Sequence, residues 1–446
     1  MKIPFSSVLE QIRSSYWFVP AAMSLMALAL STLMLYLDQR FAHQSPSDAW
    51  WLYDGGAEGA RVVLATIVTA MISVTSVVFS ITIVALTLAA GQFGSRVLRN
   101  FMRDRGNQIT LGTFIATFVY AMLVLRTVRG GDDAAFVPSL TMSVGILLVF
   151  LSVGVLIYFI HHVANSIQAE SVVGSIALET EEAIEQLFPE ALGKEDPRND
   201  RPEAGTQGEA CLPTAFDLDA KAVHALRADH LRMIDDESLM DLAVENDLVI
   251  RLRARPGDFV VQGGIVAQVW KDGDLEPELL DEVREVFVLG RSRSLQQDAE
   301  FGILQLVEVA VRALSAGIND PFTAMNCVDR ISSLLSRLST RAFPAAERFD
   351  DDGHLRVVAD TTSFGGFVDS GFDQVRQNAG RSMAVLIRML EGIASIGTQA
   401  STCEQRRVLE RHAALVLQAG LSHNPLEPDR RDLERAHAAA VLTLQL

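Results

Sequence analysis

The residues best placed to do chemistry are hydroxyls. No residue from Val62 to Ser95 is charged, yet eight Ser or Thr fall between Val62 and Ala90. Read in alternating steps of three and four, the line Thr66, Thr69, Ser73, Ser76, Ser80, Ile83, Thr87 holds six of them in seven positions. That spacing puts the side chains on one narrow face of a helix. Hydroxyls on such a face can bond across a close contact between helices. Alternatively, copies of the helix packed around an axis turn the same face toward water and form a pore. The line is longer than one packing contact requires, which keeps the pore in view. Asp54 and Glu58 precede it, and Arg96 and Arg99 follow it. Rings of such residues set ion selectivity where a helix lines an axis, although topology alone also places acids outside and bases inside.

Other candidates carry less. Thr110, Thr113 and Thr117 form a second polar line, suited to packing against the first or to widening a vestibule. His161 and His162 are adjacent, so on a helix they point about 100° apart and cannot chelate one metal. In "SAGINDPF", Gly317 is expected to end a helix in the left-handed conformation, while Asp320 caps the next and Pro321 occupies its first turn. "FDDDGH" around Asp350–His354 lacks the spaced ligands of a calcium loop and reads as a turn before a short strand, Leu355–Val358. No GxSxG, P-loop, HExxH or GxGxxG is present. The chain reads as a non-enzyme without cofactor or metal.

These residues sit in a chain of 446 residues with a formal net charge of −17 and 49% hydrophobic residues. That apolar content excludes a disordered or fibrous protein, and the negative charge argues against nucleic acid as a partner. The charge is unevenly spread. Residues 1–165 carry 10 Lys/Arg and 8 Asp/Glu, whereas residues 166–446 carry 28 and 47. This predicts a membrane domain joined to an acidic domain in water. A hydrocarbon core about 30 Å thick needs about 20 apolar helical residues. Four stretches qualify, with helices expected near 15–37, 62–95, 107–126 and 135–160. None has Asp, Glu, Lys, Arg or His in its interior, unlike most ion-coupled carriers. The first stretch is too long for a signal-peptide core and reads as an anchor. Lys2, Arg13, Arg96, Arg99, Arg103 and Arg105 outnumber the basic residues of the other two loops. The positive-inside rule then places both termini in the cytoplasm. Cys211, Cys327 and Cys403 are scattered, as free thiols in a reducing compartment would be.

Beyond the spans, 166–213 reads as a helix and a linker rich in Pro, Gly and acids. Residues 214–295 read as a small α+β module and 296–446 as mainly helical, with Met383, Leu386, Ile387 and Leu390 on one face. In "LVIRLRARPGDFVVQGGIVAQVW", alternation and the Pro256-Gly257 and Gly263-Gly264 turns give short strands. Their pattern resembles the swapped-hairpin barrels of lipoyl and biotinyl domains, but no lysine occupies the tip, so no covalent cofactor is expected. The predicted fold class is an α-helical membrane domain of four spans plus an α+β cytoplasmic domain with a small β-hairpin or barrel-like module and a C-terminal helical part.

Three segments, "GQFGSRVLRNFMRDRGNQITLGTFIATFVYAML", "RPGDFVVQGG" and "QQDAEFGILQLVEVAVRALSAGINDPFTAMNCVDRI", together resemble a bacterial family of predicted membrane proteins, domain-of-unknown-function family 2254. Where the family phrase has Ser-Pro-Gly, this chain has Ser315-Ala316-Gly317. The resemblance implies the membrane architecture and carries no activity with it. From the residues, the leading expectation is a homo-oligomeric channel in the bacterial inner membrane, passing small ions or responding to a cytoplasmic ligand. The alternative is a membrane-anchored sensor or scaffold without transport, with the lipid bilayer as partner in both cases.

Overall fold

The computed structural model describes residues 17–41, 53, 55–93, 104–129, 136–166, 168–188, 212–360, 362–380 and 382–445. The chain forms two compact units, residues 1–172 and 173–446. The first holds α1 (Phe18–Phe41), α2 (Ala57–Phe93), α3 (Arg105–Leu125) and α4 (Ser139–Ser166). All four are long and apolar enough to cross a membrane.

Three of these helices outrun the stretches expected from charge alone, because their end charges find partners. Asp38, inside α1, accepts hydrogen bonds from Leu140 N (3.0 Å) and Thr141 N (2.8 Å) at the start of α4. The first turn of α4 has no acid of its own, so Asp38 satisfies its free amides. Arg61, near the start of α2, donates to the Val128 carbonyl at 3.3 Å. At the other end of α4, His162 Nε2 meets Asp104 Oδ2 at 2.6 Å, and Asp104 also caps α3 by accepting from Gly106 N. The α3 helix is central and packs against the other three. Gly112 is what lets α1 come close, since a Cβ there would lie 2.5 Å from Met23 Sδ.

The second unit begins within α5 (Ala169–Leu187). After α6 (Phe216–Asp219) come β1 (Lys221–His224), β2 (Asp229–Ile234), α7 (Asp236–Glu245), β3 (Val249–Leu252), β4 (Phe259–Val260), β5 (Ile265–Trp270), α8 (Pro277–Glu285) and β6 (Phe287–Gly290). Helices α9 (Ala299–Ala313) and α10 (Pro321–Ser339) lead into the hairpin β7 (Glu347–Phe349) and β8 (Leu355–Val358). Four helices follow: α11 (Phe364–Ala379), α12 (Met383–Gly397), α13 (Cys403–Leu421) and α14 (Glu427–Leu444).

The strands form a five-stranded sheet, β1-β5-β3-β8-β7, and a three-stranded sheet, β4-β2-β6. Strand β8 pairs in parallel with β3, Ile250 opposite Val357. The module drawn at 214–295 from the sequence therefore gains two strands from 347–358. A periodicity search misses this because a parallel partner can lie a hundred residues away. Val223, Leu231, Leu248, Ile250, Val266 and Val269 fill the core between these elements. The C-terminal helices bury Leu386, Met389, Leu390 and Ile393 of α12.

One local expectation changes. The left-handed residue between α9 and α10 is Asn319, at φ 52°, and not Gly317. Asn tolerates this conformation well, and the Ile318 and Asn319 amides both bond to Ser315 O, which closes the turn. Asp320 caps α10 as expected, accepting from Phe322 N and Thr323 N.

Candidate functional site

The hydroxyl line lies on α2. This helix has 37 residues, about 55 Å at 1.5 Å per residue, so it exceeds the ~30 Å of a hydrocarbon core. The side chains that α2 packs into its own protomer are Ala60, Leu64, Ile67, Met71, Val78, Thr82, Ala85 and Ala89. Thr66, Thr69, Ser73, Ser76, Ser80, Ile83 and Thr87 are all exposed. Thr66, Thr69, Ser73, Ser80 and Thr87 each sit two residues beyond one of these packed positions, about 200° around the axis. The hydroxyl face therefore points out of the bundle, opposite the face that holds it together. Packing among the described residues does not explain it.

Each hydroxyl on this face donates to the carbonyl four residues earlier. Thr66, Thr69, Ser73, Ser76, Ser80 and Thr87 bond to Val62, Ala65, Thr69, Ile72, Ser76 and Ile83 at 2.8–3.0 Å. A carbonyl oxygen only accepts, so the single hydroxyl proton is used in each case. The outward side of the line then offers oxygen lone pairs and no donors. The line is flanked by exposed Ile72, Val77, Phe79, Val84 and Leu88.

Of the residues expected at the mouths, Glu58 is exposed in the first turn of α2 and has no ion pair among the described residues. Asp54, Arg96 and Arg99 lie outside the described residues. The second polar line goes the other way. Thr110, Thr113 and Thr117 are buried inside the protomer, and Thr117 bonds to Ser152 of α4 at 3.1 Å. They belong to packing around α3 and neither join nor widen the α2 face. His162 pairs with Asp104 and stacks on Tyr158, centroids 5.3 Å apart.

The second unit contains a cluster that the sequence reading did not assemble. Arg293 binds Asp298 through two bonds, Nε to Oδ2 at 2.7 Å and Nη2 to Oδ1 at 2.9 Å. Arg255 donates to Glu300 at 3.2 Å and to Thr362 Oγ1 at 2.8 Å, and Ser370 donates to Glu300. Burial pushes the Asp298 carboxyl above its usual range despite the bonds from Arg293 and the Phe301 amide. Burial also opposes the Arg293 charge, but its bond to Asp298 and the nearby Asp298, Glu300 and Asp258 charges outweigh it and raise its pKa. The available signal was that "RPGD" and "QQDAE" each carry two charged residues beside a turn or a helix start. Their meeting in space was not legible. The described residues hold no group of three or more His, Cys, Asp or Glu arranged for a metal.

A groove of about 490 Å³ runs between α10 and α12, with Ser333, Ser336, Ser395 and Gln399 on its walls. Arg388 of α12 crosses it to Asp329 (3.4 Å) and pairs along its own helix with Glu391 (3.1 Å). Its second cation, Arg337, pairs with Glu181 and Glu185 of α5, so both lining arginines are occupied by acids.

The model of the predicted membrane protein family DUF2254 matches residues 13–395. The chain belongs to this family. Proteins of Mycobacterium bovis and Mycobacterium tuberculosis, both described as uncharacterized, are similar to it at 32% identity over 398 residues, covering 87% of this chain and 73% of theirs. No solved structure matches. Family membership and the four apolar helices make this a membrane protein.

Proposed function

We propose that this DUF2254 protein is a homo-oligomeric channel for cations, with α2 of each subunit lining the path. One observation supports the reading: the hydroxyl line faces away from the other described helices of its own protomer. Copies arranged about an axis would enclose these faces. Each would contribute a ladder of oxygen lone pairs with no competing donors, because every hydroxyl proton is held by its own helix. Such a ladder replaces part of a cation's hydration shell and repels anions, and its weak, repeated contacts let ions leave as well as enter. Glu58 adds a carboxylate at one end. The basic loop 96–105 supports cytoplasmic termini in a bacterial inner membrane, with the acidic second unit as a vestibule or gating element.

A second reading has a specific observation in its favour. Hydroxyls bonded to their own helix can sit against lipid or a sibling helix without water, and the protein would then be an anchored sensor or scaffold. Planar-bilayer recording of the purified protein separates the two. The channel reading expects a cation-selective current that Ser73→Leu and Ser80→Leu abolish while the oligomer persists. Silent bilayers, or equal conductance in both variants, would remove α2 from a pore.

A further inference from the structure

The second unit carries an apolar tip on an otherwise acidic body. Leu226, Phe259, Val261 and Ile265 are 72%, 59%, 59% and 43% exposed. They are neighbours, because the turn after β1 and the turn after β4 hold each other. Ala225 N donates to Gly264 O and Gly263 N to Ala225 O, both at 2.9 Å. His230, opposite Phe259 in the ladder, meets its ring edge-on at 5.2 Å. Large side chains grouped this way on a water-facing module mark a contact surface.

The charge around the tip identifies the partner. Segments 221–234, 259–265 and 287–291 contain Lys221, Arg227, Arg232 and Arg291 against one acid, Asp229. That acid lies 3.5 Å from Arg227. Asp258, just outside, is turned to the Arg255 amide at 3.0 Å. Arg284 also reaches this end, donating to the His224 carbonyl at 2.9 Å and paired with Asp281. Residues 166–446 as a whole carry 47 acids against 28 bases, so these segments are basic within a negative domain. Apolar side chains rimmed by Lys and Arg fit a bilayer surface bearing anionic headgroups. The side chains enter the acyl boundary while the cations stay at the phosphates. The four spans of the same chain keep a bilayer at high effective concentration, so a weak contact suffices.

We infer that the tip formed by Leu226, Phe259, Val261 and Ile265 docks on anionic lipid. This is independent of whether α2 lines a pore. The test uses the full chain in nanodiscs of phosphatidylcholine alone and of phosphatidylcholine with phosphatidylglycerol, followed by hydrogen–deuterium exchange. Amides of 224–230 and 259–265 are expected to exchange roughly tenfold more slowly with phosphatidylglycerol present. The double variant Leu226→Glu, Val261→Glu should lose this slowing and keep the protection of α9 to α14. Equal exchange in the two lipid compositions overturns the inference. Strong protection in both would point to a second copy of the chain on this face, and weak protection in both to a tip that stays in water.

Discussion

Gly257 lies directly against the carboxylate of Asp298: a Cβ at Gly257 would be 2.5 Å from Asp298 Oδ2 and 2.8 Å from Arg293 Nη2. The glycine also adopts φ 103°, a conformation that side chains resist. The turn of one phrase, "RPGD", is thus moulded onto the helix start of another, "QQDAE", with buried charge between them. Asp298 caps α9 through the Phe301 amide at 3.2 Å and binds Arg293 with the same carboxylate.

Gly257→Ala should therefore cost about 1–3 kcal/mol, from backbone strain and from displacing the Arg293–Asp298 pair. Thermal unfolding of the second unit, followed in the full chain, checks this as a drop in Tm. The neighbouring Gly263 has φ 78° but nothing within 4 Å of a Cβ. Gly263→Ala should therefore be milder.

Asp298→Ala should be more damaging, about 3–5 kcal/mol, because it leaves the part-buried Arg293 with only the more distant Glu300 (3.9 Å) and α9 without its cap. Replacing Arg293 and Asp298 together by Met and Leu should recover much of the loss. Urea titration of the single and double variants measures the coupling.

His412 provides a pH dependence. It is fully buried on α13, its Nε2 lies 2.7 Å from Asp369 Oδ1, and its Nδ1 has no partner. Burial lowers its pKa, and Asp369 opposes this only in part. The unfolded chain, with an ordinary pKa near 6.5, therefore takes up the proton first as pH falls. Stability from this group is complete above about pH 6.5 and declines below it. His412→Gln should flatten the slope of Tm between about pH 7.5 and about pH 5.5.

The two hydroxyl lines should respond oppositely. Thr117→Val removes the buried bond to Ser152 and should destabilise the protomer by about 1 kcal/mol. Ser76→Val, on the outward face, should leave protomer stability unchanged and alter assembly or conduction. Thermal stability in detergent and native mass read these separately.

Much of this was legible in the sequence because apolar length and charge decide it. The four spans, the cap at Asp320 and the strand Leu355–Val358 follow from local rules. The hydroxyl line was visible from spacing, but its direction was not. Periodicity shows that Thr66 and Ser80 share a face, and only the packing of Leu64, Ile67 and Met71 shows that this face points out. Asp38 reaching across to α4, β8 joining β3, and Gly257 meeting Asp298 all depend on partners distant in sequence. No window of residues encodes those.

The central claim is that the outward face of α2 meets water inside an assembly. Single cysteines at positions 64 to 87, in a background with the native thiols replaced, can be treated in membranes with a charged, membrane-impermeant thiol reagent. The account predicts rapid modification at 69, 73, 76 and 80 and protection at 64, 67, 71 and 78. Uniform protection across the helix, or labelling with no helical period, would contradict it.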